Sequence, residues 1–100
     1  MRKLILFVSL SIVSVFAQAQ NDLCKGLSDN AGFIMEKRQD GTAASILIES
    51  AEEVYGDQAE LTIKIISLAF EEPRYSNEYD KRQAVEEFTS MVYIGCYEAF

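Results

Sequence analysis

The sequence predicts an all-α protein: a small up-down four-helix bundle stapled by one disulfide. Three observations point to it. Apolar residues recur at three- and four-residue spacings through almost all of the chain after residue 20. Gly41, Gly56 and Pro73 interrupt that pattern where helices should stop. The two cysteines, Cys24 and Cys96, lie near opposite ends of the same stretch. Four helices joined by short connections return the chain to its starting end, which places the two cysteines side by side. Three or five helices would part the sulfurs well beyond the roughly 6 Å between Cα atoms that a disulfide tolerates.

The chain opens with Met1-Arg2-Lys3, an apolar run from Leu4 to Phe16 and the small-residue motif Ala17-Gln18-Ala19. This order reads as a cleaved signal peptide over residues 1–19, leaving residues 20–100 as a single helical domain. The apolar run is about 13 residues, short of the roughly 20 that cross a bilayer as a helix, so no stable membrane insertion is expected after cleavage. Cys24 follows Asn21-Asp22-Leu23 instead of the small residues of a lipoprotein signal. The expected compartment is the periplasm, with full secretion as the alternative.

In the first helix of the remaining chain, Leu23, Leu27, Ala31 and Ile34 make one apolar stripe, flanked by Cys24 and Met35. Asn21 or Asp22 is placed to cap it, Lys37 and Arg38 meet the negative end of its dipole, and Gly41 supplies a left-handed stop. Thr42 is expected to cap the second helix, whose stripe is Ala43, Leu47, Ala51 and Val54 and whose end is Gly56. Asp57 and Glu60 have the spacing of a capping box for the third helix, which carries Leu61, Ile65, Leu68 and Ala69 and stops at Pro73. Ser76 or Asn77 caps the fourth, where Val85, Phe88, Val92 and Cys96 run down one face. Met91 to Tyr97 is apolar on nearly all sides; enclosure by neighbouring helices is expected, and a partner surface is the alternative.

The chain has 9 Lys and Arg against 16 Asp and Glu, for a formal net charge of −7. Loss of Arg2 and Lys3 with the leader takes the net charge to about −9 over the remaining 81 residues. Such an excess argues against nucleic acid as a partner. So short a domain has a thin core, and in an oxidising compartment two cysteines pair in only one way. The loop they close is about 73 residues, for which loop-closure entropy gives roughly 4 kcal/mol.

There is no histidine, which excludes His-based triads, Cys-His dyads and the usual zinc sites. The glycines are dispersed and form no phosphate-cradling loop. Glu52-Glu53, Glu71-Glu72 and Glu86-Glu87 are neighbours whose side chains diverge by about 100° on a helix, so they do not converge on one bond. Glu49 and Glu53 share a face and could bridge a divalent ion, although solvated acidic pairs of this kind are commoner. No enzyme activity, cofactor or metal is therefore expected. The remaining candidate is a partner-binding surface of Arg38, Gln39, Arg74 and Tyr75, which the bundle topology brings to the end opposite the disulfide. The competing reading is structural: Arg38 serves its helix end, Arg74 pairs with Glu71 or Glu78, and Tyr75 covers the loop.

Several short segments carry a resemblance: Cys24, Ile34-Met35, Arg38-Gln39-Asp40-Gly41, Ala69-Phe70-Glu71-Glu72-Pro73-Arg74-Tyr75, Gln83-Ala84-Val85-Glu86-Glu87-Phe88 and Cys96-Tyr97. In these the chain resembles an uncharacterised group of small secreted proteins of proteobacteria and their phages. The resemblance implies export and a disulfide, and no functional residue is carried over from it. The expected role is that of a non-enzymatic module that binds or inhibits an envelope or secreted protein, in an oligomeric state left open. The alternative is an acid-responsive periplasmic chaperone: protonating 16 carboxylates would swing the charge from about −9 to about +7 and push a thin bundle open.

Overall fold

A computed structural model of the chain contains four α-helices, α1 (Arg2–Asp40), α2 (Ala44–Tyr55), α3 (Glu60–Glu71) and α4 (Glu78–Ala99), with a 3₁₀ turn at Gly56–Gln58. The structure describes the backbone of residues 2–99 and the side chains of residues 21–99, so the side chains of the Ala17-Gln18-Ala19 motif lie outside the described residues. No strand occurs among the described residues, and none of their helices is long and apolar enough to cross a membrane.

With residues 2–20 present, Asn21 and Asp22 lie within α1 and not at its start. The helix runs through them from Arg2, and the residues ahead of them supply the carbonyls that a capping side chain would replace. Its C-terminus closes as expected: Gly41 has φ +91°, its N–H reaches the Arg38 carbonyl at 3.1 Å, and the Thr42 N–H reaches Lys37 at 3.0 Å. This is a Schellman motif, and it uses Thr42 as the final backbone donor of α1. Thr42 is therefore not the cap of α2; Ala43 occupies that position, extended and without a side-chain bond.

The expected Asp57–Glu60 capping box is also absent. Gly56 ends α2 at φ +57°, and the chain then makes a single 3₁₀ turn that carries Asp57 away from the amides of α3. Ala59 takes the N-cap position with helical dihedrals, and its carbonyl accepts the Ile63 N–H at 2.9 Å. Asn77 does cap α4. Its Oδ1 accepts the Asp80 N–H at 2.7 Å, and its amide donates to Asp80 Oδ2 at 2.7 Å, a reciprocal pair that satisfies an otherwise orphaned donor.

The helices run up, down, up, down. Antiparallel α4 meets α1 through Cys24–Cys96 at one end, where the Cα atoms are 5.5 Å apart, and through Gln39 and the α3–α4 connection at the other. Midway, a Cβ on Gly32 would sit 2.7 Å from Thr89 Oγ1, so glycine permits the close approach of the two helices there. Ala31, Ile34 and Met35 of α1, Leu47 and Ala51 of α2, Ile65, Ile66 and Ala69 of α3, and Ala84 and Phe88 of α4 form one core. The disulfide fastens the same α1–α4 pair outside that cluster.

Burial departs from expectation at the ends of the stripes. Leu23, Val54, Leu61 and Leu68 are exposed, and the Met91–Tyr97 turn is enclosed on one side only: Cys96 is buried and Val92 packs against the core, whereas Met91 is 49%, Ile94 56% and Tyr97 48% exposed. For the final turns of α4 the cause is length. At 12 residues, α3 spans about 18 Å and lies against the Asn30–Arg38 stretch of α1, with Thr62 and Ile66 beside Asn30 and Ile34 and Phe70 against Arg38. The 22-residue α4 continues past it toward Cys24 with only α1 alongside.

Candidate protein-binding surface

The last turn of α1 and the connection between α3 and α4 bring Arg38, Gln39, Arg74 and Tyr75 together, opposite the disulfide. Gln39 is the centre of this cluster and is only 2% exposed. Its Nε2 donates to the Pro73 carbonyl at 2.9 Å and lies 3.5 Å from the Met35 sulfur, while its Oε1 accepts the Tyr75 N–H at 2.8 Å. A single buried amide thus satisfies both a carbonyl and an N–H of a connection that has no secondary structure to satisfy them.

The arginines reinforce the same clamp. Arg38 Nε donates to the Glu72 carbonyl at 3.1 Å, and its guanidinium lies 4.7 Å from the centre of the Phe70 ring. Arg74 Nε donates to the Gln39 carbonyl at 3.4 Å, so the partner of that guanidinium is a backbone oxygen in place of the Glu71 or Glu78 carboxylate expected. Its guanidinium also covers Gly41, where an added Cβ would fall 2.8 Å from Nη2. Tyr75 is half-buried against the core. Each of the four residues holds the connection onto α1, and Gln39 offers no surface to a partner.

The bundle topology brings Gln39 to the candidate surface, and the structure corrects that expectation by burying it. The signal that it is buried was present in the spacing. Cys24, Ser28, Ala31, Met35 and Gln39 are all buried and follow one another at intervals of three and four, so Gln39 continues the core stripe by a further turn.

The other candidate surface is the outward face of α4. Below it, Ala84, Phe88 and Met91 line a cavity of about 410 Å³ whose rim includes Glu72, Asp80 and Glu87. A shallower surface continues from Met91 to Ile94 along the same helix. Phe88 is almost fully buried and forms the floor, whereas Met91 and Ile94 project. The sequence offers the Met91–Tyr97 part of this face only as the alternative to enclosure, because the periodicity of α4 identifies the side turned to α1 and carries no information on where α3 ends.

The acidic pairs at residues 52/53, 71/72 and 86/87 are exposed, as are Glu49 and Glu53 on α2. Among the described residues no group of three or more histidine, cysteine or acidic side chains could hold a metal ion. Comparison of the chain with protein-family models, with curated proteins and with solved structures returns no match.

Proposed function

We propose that this chain is a small exported, non-enzymatic helical module that works by binding another protein of the periplasm or the secreted fraction. The observation that carries the reading is the half-exposure of Met91 and Ile94 on a helix fastened at both ends. Large apolar side chains projecting beside a cavity are characteristic of protein-protein contact. A helix already held in place loses little conformational freedom on association, so more of the contact energy remains as affinity. Export draws its support from the leader motif and from the disulfide, a bond that persists in oxidising compartments.

The test is capture from an envelope extract with the oxidised chain, beside the variant Met91→Lys. Enrichment of a defined protein by the parent chain and its loss with the variant is the expected result. Equal capture by both removes the α4 face from the reading, and no enrichment by either removes the binding function. A second reading, an acid-responsive chaperone, is favoured by Val54, Leu61 and Leu68, which leave α2 and α3 with exposed apolar surface. Circular dichroism at neutral pH and at about pH 2–3 separates the two, since a chaperone of this kind loosens in acid and then keeps a client soluble.

A further inference from the structure

We infer that the groove on α4 receives a basic amphipathic helix of the partner protein. This inference rests on the protein-binding function proposed above and specifies the chemistry of the partner.

The groove has the form that such a helix requires. Ala84, Phe88 and Met91 recur at four and three residues on α4 and make an apolar floor. Ile94 extends the strip by nearly one more turn. From Asp80 to Ile94 the helix rises about 21 Å, which matches about four turns of a second helix laid along it. A guest helix with apolar residues at i, i+3, i+4 and i+7 places its anchors at this pitch. Addition of an extended strand needs an unpaired sheet edge, and the described residues contain no strand.

Charge selects the guest. The charged side chains lining the cavity and its shallower continuation are Glu72, Asp80, Glu86 and Glu87, with no lysine or arginine among the lining residues. The chain as a whole, with a formal net charge of −7 that includes these four, has the same sign. An acidic rim around an apolar floor complements a helix whose apolar stripe is bordered by lysine or arginine, and it repels an acidic one. A second copy of this chain supplies no such helix from its hairpin: α2 and α3 carry Glu49, Glu52, Glu53, Glu60 and Glu71 against Lys64 alone.

The experiment uses the oxidised, leader-free chain and two synthetic peptides of about 18 residues that share one leucine stripe. One peptide carries lysine on its polar face and the other glutamate. The lysine peptide is expected to bind with a dissociation constant at or below about 100 μM and to weaken as salt is raised, and the glutamate peptide at least about tenfold more weakly. Met91→Lys and Glu87→Lys, both at exposed positions, are each expected to weaken the lysine peptide by roughly tenfold with an unchanged helical spectrum, while Val54→Lys leaves it unaffected. Equal binding of the two peptides, insensitivity to both groove variants, or no binding of the lysine peptide up to about 1 mM overturns the inference. Self-association of the parent chain that is abolished by Met91→Lys also overturns it, by making a second copy the occupant. If the groove variants still capture the same envelope protein as the parent chain, the inference fails and the broader binding function stands.

Discussion

The two ends of the α1–α4 pair are closed by different physics. At one end a covalent bond joins Cys24 and Cys96 across a sequence separation of 72 residues. At the other, the buried amide of Gln39 holds the α3–α4 connection through the Pro73 carbonyl and the Tyr75 N–H, with Arg38 and Arg74 donating to the backbone carbonyls of Glu72 and Gln39. The disulfide acts chiefly by restricting the unfolded chain and needs almost no partner in the folded one. The clamp acts only in the folded state, and it depends on each hydrogen bond being made, because a buried group left unpaired is worse than one never buried. One end is therefore robust to its surroundings and sensitive to redox conditions, and the other is the reverse.

The largest expected effect comes from breaking the covalent end. The pair Cys24→Ala and Cys96→Ala should lower the stability measured by urea unfolding by about 4 kcal/mol, following the loop-closure relation for a loop of this length. Amide exchange should then quicken first in the final turns of α4, where only α1 lies alongside. A loss near zero would mean that the clamp alone sets the α1–α4 geometry.

Gln39→Leu is expected next, at about 2–3 kcal/mol, since it keeps the volume but leaves the Pro73 carbonyl and the Tyr75 N–H without partners. Exchange should quicken in the 72–77 connection and leave the disulfide end protected. If the same amides open in both variants, the two ends are not independent fastenings, and a double-mutant comparison would return a coupling well above about 0.5 kcal/mol.

Gly41→Ala should cost about 1–2 kcal/mol, because φ is +91° there and the new Cβ would press on the Arg74 guanidinium. Asn77→Ala should cost about 1 kcal/mol by removing the cap of α4. Thermal melts of these two variants rank the contributions within the clamp end.

The same contrast explains what could be read from the amino-acid order. The disulfide was legible because its inputs are few and countable in the sequence: two cysteines and an even number of helices. The stops at Gly41, Gly56 and Pro73 were legible for a similar reason, since each depends on the backbone freedom or restriction of one residue. Thr42 and Asp57 misled because a cap depends on where the preceding turn releases the chain. The Schellman turn consumed Thr42, and the 3₁₀ turn displaced Asp57. The convergence of Arg38, Gln39, Arg74 and Tyr75 follows from topology and the burial of Gln39 from its place on the core stripe of α1, but its role as a clamp does not, because its hydrogen-bond partners lie in a connection 34 and 36 residues away in sequence. Whether the last turns of α4 are enclosed or left as a surface is not decided by the sequence for a related reason: periodicity orients a helix, and the reach of its neighbours decides how much of it is covered.

Both fastenings leave Met91 and Ile94 on the outward face of α4 exposed, and cross-linking in intact cells tests most directly the proposal that a partner binds there. A photoreactive residue in place of Met91 should yield one discrete adduct with an envelope or secreted protein. The same residue in place of Val54, exposed on α2, should yield none. An adduct from position 54 alone, or none from position 91, would contradict the account.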